Sequence, residues 1–401
     1  MRFKDNNGDE FPKWNVKFGN DIFQNISDKN HNSDLPILAI TQEYGAVPRD
    51  LIDYKISVTD KSIESYKVVQ KGDFIISLRS FQGGIEYSEY KGICSPAYII
   101  LRPSVPIDNI FYKYYLKTPK YITHLNRKLE GIRDGKMISY KYFSDITLPL
   151  PSIAEQNKIS SFLSLIEARI QTQKKIIEQV KSQMFVIEEL LLTRKLRLKD
   201  PSNNSFKDWK LEKLSDIGKT YSGISGKSKE DFGVGKKYIQ YKQIFDSSKI
   251  KLTDCALVNI SENENQNDVK FGDVFFTVSS ETPGEIGMSS VLLEEVDNVF
   301  LNSFCFGFRT HSFEKLTPEF SQFFFRSKVF RNEIVKLAQG STRYNISKNE
   351  FLKLDIVIPS KDEQLKISAC LSAIDKKINL EKDLLMQYEN QKKYLLSNLF
   401  I

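Results

Sequence analysis

Cysteine and histidine are scarce in this sequence of 401 residues. The four cysteines lie far apart and form no Cys-x-x-Cys pair, which favours a reducing compartment and argues against a structural zinc site. They are Cys94, Cys255, Cys305 and Cys370. The three histidines, His31, His124 and His311, are scattered, so we interpret them as ordinary surface or core residues.

Long apolar runs are missing as well. No stretch approaches the roughly 20 residues that a membrane span requires. The first residues are not followed by the apolar segment of a signal peptide, so we expect a cytoplasmic protein. The hydrophobic content of 40% is nevertheless sufficient for packed cores, and the length suits two domains with connecting elements.

The excess of basic over acidic residues is small. The chain has 58 Lys and Arg against 51 Asp and Glu, a net charge of +7. This balance is compatible with a nucleic-acid partner. Codon bias in a chain rich in Lys, Asn and Ile accounts for part of it, so the charge is weak support.

Complete catalytic motifs are also absent. Gly226-Lys227-Ser228 resembles the end of a P-loop, but Tyr221 stands where the first glycine is required. Asp73 with Glu89-Tyr90-Lys91 resembles a nuclease metal site, but the region after Asp273 has no matching lysine. No Asn/Asp-Pro-Pro-aromatic tetrad of a methyltransferase occurs. The sequence therefore predicts a non-catalytic binding protein with no metal or cofactor of its own.

The strongest positive feature is a repeat. The segment Pro151–Gln156 and the segment Pro359–Gln364, 208 residues later, both read Pro-Ser-x-x-Glu-Gln. Each predicts a helix start with a capping box. Behind each start, apolar residues recur at alternating spacings of 3 and 4 in the same register, which is typical of a coiled-coil seam. Two unrelated amphipathic core helices would not explain the shared register. A helix from 153 to 196 would be about 65 Å long.

A second repeat precedes the domains. Arg2–Trp14 and Arg197–Trp209 share Arg, Lys, Asp, Phe and Trp at matching positions. The second copy is rich in Pro, Asn and Ser and lies directly after the first predicted long helix, so it is interpreted as a linker. The order is therefore domain, helix, linker, domain, helix. If the helices pair antiparallel, this order closes into a circular, pseudo-two-fold arrangement.

Both domains are predicted to be α+β with the same order of elements. Each has a Gly-Asp turn before an apolar strand, a polar loop, another strand, a short aromatic helix, and a Gly/Arg segment before a last strand. The predicted boundaries are 1–150 for the first domain, 151–196 for the first helix, 197–358 for the linker and second domain, and 359–401 for the second helix. The loops differ between domains, either because they read different targets or because loops drift after duplication.

Taken together, these motifs resemble the specificity subunit of type I restriction–modification systems. They are Trp14 and Trp209, Gly72-Asp73 and Gly272-Asp273, the Gly/Arg segments and the two helix starts. The resemblance implies two target recognition domains that read a bipartite site in double-stranded DNA. It also implies an antiparallel coiled coil that binds two modification (methyltransferase) subunits, which restriction (translocase and nuclease) subunits join. S-adenosylmethionine, ATP and magnesium would be bound by those partners. The alternative is a structural coiled-coil adaptor that binds no nucleic acid.

Polar residues in or beside the predicted loops are the DNA-binding candidates, although each could equally be an ordinary solvated side chain. In the first domain they are Gln42, Tyr44, Arg79, Ser80, Gln82, Arg133 and Lys136. In the second domain they are Lys227, Lys242, Gln243, Ser279, Ser280, Thr282, Arg343 and Tyr344. The predicted coiled-coil and partner interface consists of Glu155, Gln156, Leu163, Ile166, Ile170, Ile177, Val180, Met184, Ile187, Glu363, Gln364, Leu371, Ile374, Ile378, Leu385, Tyr388 and Leu395.

Overall fold

The computed structural model describes residues 2–52, 63–127, 138–340 and 342–400. It divides into two compact units. The first unit comprises Met1–Lys175 with Asp383–Ile401, and the second comprises Ile176–Lys382. The divisions fall inside the two long helices, whereas the sequence-based boundaries were placed at the helix ends. Those boundaries stay a prediction.

The first unit is built on a four-stranded antiparallel sheet. In spatial order its strands are Phe23–Ile26, Ile99–Pro103, Phe74–Ile76 and Glu86–Tyr87. Three antiparallel pairs accompany it: Asn15–Phe18 with Thr147–Leu150, Leu38–Thr41 with Gly45–Pro48, and Lys67–Val69 with Gly92–Cys94. The short helices are Gly19–Ile22, Ser80–Gly83, Asn109–Tyr115, Pro119–Asn126 and Tyr140–Ser144, with a 3-10 turn at Arg49–Leu51.

The second unit repeats the four-stranded antiparallel sheet. Its strands in spatial order are Gly218–Ser222, Cys305–Thr310, Val274–Thr277 and Ser289–Val291. A three-stranded sheet contains Ala256–Val258, Phe232–Ile239 and Phe300–Leu301, and two pairs join Lys210–Lys213 with Asp355–Ile358 and Ser279–Ser280 with Tyr344–Asn345. The short helices are Leu214–Ile217, Tyr241–Asp246, Pro318–Phe324, Lys328–Val335 and Lys348–Leu352, with 3-10 turns at Lys229–Asp231, Leu252–Asp254 and Pro283–Glu285.

The two predicted long helices are present. The first long helix is Ile153–Leu192, with 40 residues, and the second is Lys361–Asn398, with 38 residues. The first ends before the predicted residue 196 because Arg194 adopts a left-handed backbone with φ of 62°. This conformation terminates a helix and lets the Leu196 amide donate back to the carbonyl of Leu190.

The predicted seam forms one face of each long helix. No predicted apolar seam residue is exposed. Leu163, Ile170, Ile177, Val180, Leu371, Ile378 and Leu395 are buried, and Ile166, Met184, Ile187, Ile374, Leu385 and Tyr388 are half-buried. The spacing of 3 and 4 thus identified the buried stripe residue by residue.

The helix segments run antiparallel inside the first unit. Glu167 of the first long helix pairs with Lys392 of the second, and Lys174 lies 3.6 Å from Glu389. Lower numbers in one helix therefore meet higher numbers in the other. The second unit follows the same rule, because Leu191 shares a core with Ile367 near the start of the second long helix. The predicted antiparallel pairing is confirmed.

Each unit packs its helix segments against its own domain. In the first unit, Phe400 at the end of the chain packs against Phe111 and Tyr115 with ring centroids 5.3 and 5.6 Å apart. In the second unit, Leu191 and Leu192 join the core of sheet and aromatic helix. The α+β class is confirmed for both units. In the described part of the chain, no helix is both long and apolar enough to cross a membrane.

Candidate nucleic-acid interface

A buried carboxylate supports the Gly-Asp turn of each unit. Asp73 accepts hydrogen bonds from Arg102 Nε and Nη2, both at 2.7 Å, and from the amide of Gln70. Such bidentate pairs fix geometry as well as charge. The bond to Asp73 raises the pKa of the Arg102 guanidinium. Gly72 takes φ of 99°, where glycine is favoured.

The second unit repeats this arrangement. Asp273 accepts hydrogen bonds from Arg309 Nε at 2.8 Å and Nη2 at 2.6 Å, and from the amide of Lys270. It also accepts one from the Tyr221 hydroxyl at 2.6 Å. Sequence analysis found the two aspartates but missed Arg102 and Arg309. Both arginines occupy the same place in their strands, so aligning the two halves of the chain strand by strand would have found them.

An ion pair connects each linker to the start of a long helix. Arg2 pairs bidentately with Glu155, and Arg197 pairs bidentately with Glu363. Arg2 also donates to the carbonyl of Pro12, and Arg197 donates to the carbonyls of Phe206 and Lys207, so each arginine ties its linker to the helix start. Both glutamates are at most 1% exposed.

The neighbouring glutamines are used in the same way. Gln156 accepts from the amide of Asp108 and donates to the carbonyl of Pro151, while Gln364 accepts from Thr317 and donates to Pro359. The sequence assigned four of these residues to the coiled-coil and partner interface. Their side chains instead form hydrogen bonds within their own unit. The four residues are Glu155, Gln156, Glu363 and Gln364.

Two of the first-domain candidates lie together. Gln42 Nε2 donates to the carbonyl of Arg79 at 3.3 Å, which places the hairpin of Gln42 and Tyr44 against the turn at Ser80–Gly83. Gln42, Arg79 and Gln82 are exposed, and Tyr44 is 58% exposed. Ser80 differs from the prediction: it is buried, and its hydroxyl accepts from the amide of Ser77, so it shapes the turn. Arg133 and Lys136 lie outside the described residues.

In the second domain, a loop and a strand form one edge. Ser279–Ser280 pairs with Tyr344–Asn345, so Ser280 lies opposite Tyr344. We call Ser279–Thr282 together with Arg343–Asn345 the recognition edge. Arg343 and Thr282 are exposed on it, and Tyr344 is half-buried.

The serines of the recognition edge are structural. Ser279 and Ser280 are 7% and 8% exposed. The Ser280 hydroxyl accepts from the amide of Thr282 at 3.1 Å, and the Ser279 carbonyl accepts from the Tyr241 hydroxyl at 2.9 Å. Ser279 and Ser280 were predicted to contact DNA, but their burial assigns them to holding the edge in place. Tyr241, which sequence analysis missed, supports it from the neighbouring helix.

Two further second-domain candidates are occupied by internal contacts. Lys227 pairs with Glu264 at 2.6 Å, and its side chain is only 8% exposed. Hydrogen bonds from Lys227 and from the amide of Ser261 lower the pKa of the Glu264 carboxyl to about 2. Gln243 accepts from the amide of Gln240 and donates to the carbonyl of Lys251. Neither side chain is free to contact a ligand without breaking these bonds. Lys242, on the same helix as Tyr241, is exposed.

The exposed candidates therefore form two sets of donors, one per domain. The first set is Gln42, Tyr44, Arg79 and Gln82, and the second is Lys242, Thr282, Arg343 and the half-buried Tyr344. Arginine and glutamine side chains match the acceptor patterns of guanine and adenine in the major groove. Lysine and hydroxyl groups suit phosphate oxygens. Among the described residues, no group of three His, Cys, Asp or Glu is placed to hold a metal ion.

Comparison with known proteins agrees with two repeated DNA-reading domains. The type I restriction modification DNA specificity domain matches residues 13–182 and again residues 206–390. The chain therefore belongs to this family, as the resemblance implied. The two matches divide the chain into the same two halves as its internal repeats.

Its relatives include specificity subunits from distant organisms. The type I restriction enzyme MjaVIII specificity subunit of Methanocaldococcus jannaschii is 25% identical over 352 residues, covering 85% of this chain and 80% of the relative. The EcoKI specificity subunit of Escherichia coli is 22% identical over 280 residues, covering 67% and 59%.

Two solved structures share the fold over nearly all of both chains. A chain from a study of assembly and conformational transition in the type I R-M system has a TM-score of 0.58 at 15% identity, with 98% of each chain covered. The S subunit of the type I system from M. genitalium has a TM-score of 0.52 at 14% identity, covering 100% of this chain and 98% of that one. The shared fold agrees with the family match, which makes this chain a specificity subunit with two DNA specificity domains.

Proposed function

We propose that the chain reads a bipartite DNA site, one half-site with each recognition domain, and leaves the bases between them unread. One observation carries the proposal: both domains repeat the same Asp–Arg and Arg–Glu pairs and expose different polar side chains. The first offers Arg79 and Gln42, whereas the second offers Arg343, Thr282 and Lys242. Two domains with the same ion pairs but different exposed hydrogen-bond donors suit similar docking on two different base sequences.

The exposed donors would divide into two roles. Lys242 and Thr282 would contact phosphates, which position a domain without reading sequence. Arg79 and Arg343 would donate to base edges in the major groove, where a bidentate arginine favours guanine. Gln42 would suit adenine in the same way, provided that it releases the carbonyl of Arg79. Ser80, Ser279 and Ser280 would hold these donors in place.

Partner subunits would supply the chemistry. We assign to this chain no catalytic step and no cofactor, and to its partners S-adenosylmethionine, ATP and magnesium. Modification subunits, two per chain, would bind along the long helices, and restriction subunits would join them. The long helices carry exposed apolar side chains that the seam does not use, and exposed apolar surface commonly marks a protein interface. Leu165, Phe185, Leu380, Met386 and Tyr394 are 55–71% exposed. Cellular DNA as the partner implies a cytoplasmic location.

The test is to co-express the chain with its modification subunit and to map methylated bases across the host genome. A split motif with a gap of fixed length would support two domains that read two half-sites. The modification subunit expressed alone is the control and should leave the genome unmodified at such a motif. A continuous motif would contradict the bipartite reading.

A second measurement separates DNA reading from a purely structural adaptor role. DNA affinity of the assembled complex should fall steeply as salt rises, because lysine and arginine contacts release counterions from phosphates. A stable complex without salt-dependent DNA binding would favour the adaptor.

A further inference from the structure

The two units contain one turn with the same backbone bonding and different side chains. In the first unit, the amide of Tyr98 donates to the carbonyl of Ser95, and the amide of Ala97 donates to the Ser95 hydroxyl. In the second unit, the amide of Cys305 donates to the carbonyl of Asn302, and the amide of Phe304 donates to Asn302 Oδ1 at 2.8 Å. Each turn joins the strand ending at Cys94 or Leu301 to the next strand. Phe304 therefore occupies the position of Ala97.

Phe304 is unusual because its ring faces solvent from a rigid backbone. The residue is 59% exposed. Its amide is fixed by Asn302, and its carbonyl accepts from the amide of Val278 at 3.0 Å. An exposed phenylalanine contributes little to the stability of its own domain, because its apolar area is not removed from water. The equivalent turn of the first unit forms with alanine at this position, so the turn does not require an aromatic side chain there.

The position of Phe304 connects it to DNA reading. Val278, which its carbonyl binds, directly precedes Ser279 and the recognition edge. The Ile346 amide donates to the carbonyl of the same Val278. The turn of Phe304 and the strand that follows Arg343 are thus both hydrogen-bonded to Val278, so this turn adjoins the recognition edge.

Phe304 also lines a cavity of about 410 Å³. Phe232 and Lys229 line it, and both are exposed. Its wall is a loop that Lys227 ties to Glu264 and that Gln266 ties to both backbone groups of Ser225. Aromatic rings beside a lysine on a preorganised wall are the combination that holds nucleotides by stacking and by phosphate contact.

We propose that Phe304 is a DNA contact of the second recognition domain and packs its ring against the bases or deoxyriboses of the second half-site. Lys229 then contacts a phosphate of the same strand. The first domain has no such contact at Ala97, so the two half-sites are bound by different chemistry. The inference rests on the proposed function and extends it to a named apolar contact.

The experiment uses the assembled complex with its modification subunits and a duplex containing the mapped site. Phe304→Ala should weaken binding of the full site about tenfold, in line with the loss of one aromatic–base contact. Phe304→Tyr should stay within about threefold of wild type because it keeps the ring. Leu211→Ala removes an apolar side chain of similar exposure, 67%, from the strand pair Lys210–Lys213 with Asp355–Ile358, and should change nothing.

A photoreactive benzoyl-phenylalanine at position 304 gives an independent readout. Crosslinking to the second half-site supports the inference, whereas crosslinking to a modification subunit overturns it. Wild-type affinity in Phe304→Ala also overturns it and leaves the proposed function intact. A wild-type complex that fails to bind the site specifically would overturn both. If the Phe304→Ala chain denatures at the same midpoint as wild type, its weaker binding does not come from misfolding.

Discussion

The cation that follows the short aromatic helix serves different partners in the two units. In the first unit, Lys117 pairs with the buried Glu86, and burial raises the pKa of this carboxyl and lowers that of the lysine. In the second unit, Arg326 donates to the carbonyls of Ser289 and Ile244 and, by a short contact, of Phe245. Burial lowers the pKa of Arg326 to about 10, so it remains charged near neutrality.

This difference shows how one scaffold supports two recognition surfaces. Ile244 and Phe245 belong to the helix Tyr241–Asp246, which carries the exposed Lys242 and the Tyr241 that holds the recognition edge. Arg326 therefore anchors a helix that presents DNA-binding candidates. In the first unit, the equivalent cation is neutralised by Glu86 on the sheet. The buried support changes together with the surface that it carries, while the Asp–Arg and Arg–Glu pairs stay the same.

The largest expected effect tests the shared part of the comparison. Leu163 and Leu371 occupy equivalent seam positions, and both are fully buried. Leu163→Asp and Leu371→Asp should each lower the free energy of unfolding by about 4 kcal/mol or more, because they combine a cavity with an unpaired buried charge. Chemical denaturation of the chain measures this.

Leu165→Asp and Leu380→Asp are the matched controls on the same helices, because these residues are 71% and 60% exposed. They should leave the denaturation midpoint unchanged and weaken binding of modification subunits. A mutant at Leu163 or Leu371 that unfolds like wild type would refute the seam.

The next effect separates the two buried carboxylates. Asp73→Ala and Asp273→Ala each remove the carboxylate partner of an arginine and the acceptor of a backbone amide, although Arg309 keeps its bond to the carbonyl of Asp268. We expect a loss of about 2–4 kcal/mol in each case, below the range for fully buried pairs because the arginines are partly exposed. Asp273→Ala should cost about 1 kcal/mol more, because only Asp273 also accepts from a tyrosine, Tyr221. In a Tyr221→Phe background, the two aspartate substitutions should cost the same. Equal losses in the chain that keeps Tyr221 would contradict the assignment.

The two exposed arginines test the difference between the domains. Arg343→Ala should lower DNA affinity by about 1–3 kcal/mol and relax one base position in the second half-site only. Arg79→Ala should do the same in the first half-site. Methylation maps of the two variants measure both effects. Lys353→Ala is the control, because this exposed lysine is paired with Glu350. If affinity and methylation pattern stay unchanged in Arg343→Ala, this arginine does not read bases.

The smallest effect concerns a carboxyl that only one unit has. Glu188 is half-buried in the first long helix. Burial raises its pKa to about 7, although the positive charge of Arg326 acts in the opposite direction. Leu396 is at the equivalent position of the second long helix and packs against the core of the first unit. The folded state holds the Glu188 proton more tightly than the unfolded state, so the contribution of Glu188 to stability is greatest below pH 4.5 and is lost as the pH rises to about 7.

Glu188→Gln should remove this slope and stabilise the chain by about 1–2 kcal/mol at pH 8, less than the full shift because the side chain is partly exposed. Unfolding measured from pH 5 to pH 8 tests this. An unchanged slope in the variant would assign the pH dependence to other groups.

The sequence predicted the shared parts of the molecule better than its recognition surface. The helix starts and the seam were both predicted from local patterns; the helices begin at Ile153 and Lys361, and burial of Leu163 and Leu371 confirms the seam. The glutamates predicted to complete the capping boxes, Glu155 and Glu363, instead accept from Arg2 and Arg197. Local patterns cannot show which polar loop residues are consumed by other polar groups. Ser80, Ser280 and Gln243 looked available, yet each bonds to backbone amides or carbonyls of its own unit.

The functional residues that sequence analysis did not find have the same explanation. Arg102 and Arg309 lie in apolar strands far from their aspartates in sequence, so only strand pairing brings them together. Phe304 gave no signal at all, because an aromatic residue in a β-rich run predicts burial. Its exposed fraction of 59% in the folded chain shows that the side chain is not part of the core.

The carboxylate–guanidinium pairs under the Gly-Asp turns have a consequence for evolution. Asp73–Arg102 and Asp273–Arg309 stabilise each sheet without using any exposed residue of the recognition edge. Substitutions at Thr282, Arg343 or Phe304 therefore cost little folding stability, because surface positions away from buried contacts usually change it by about 0.5 kcal/mol or less. If these residues read DNA as proposed, a lineage can change its target sequence through a few surface mutations while the folding of each domain is inherited unchanged.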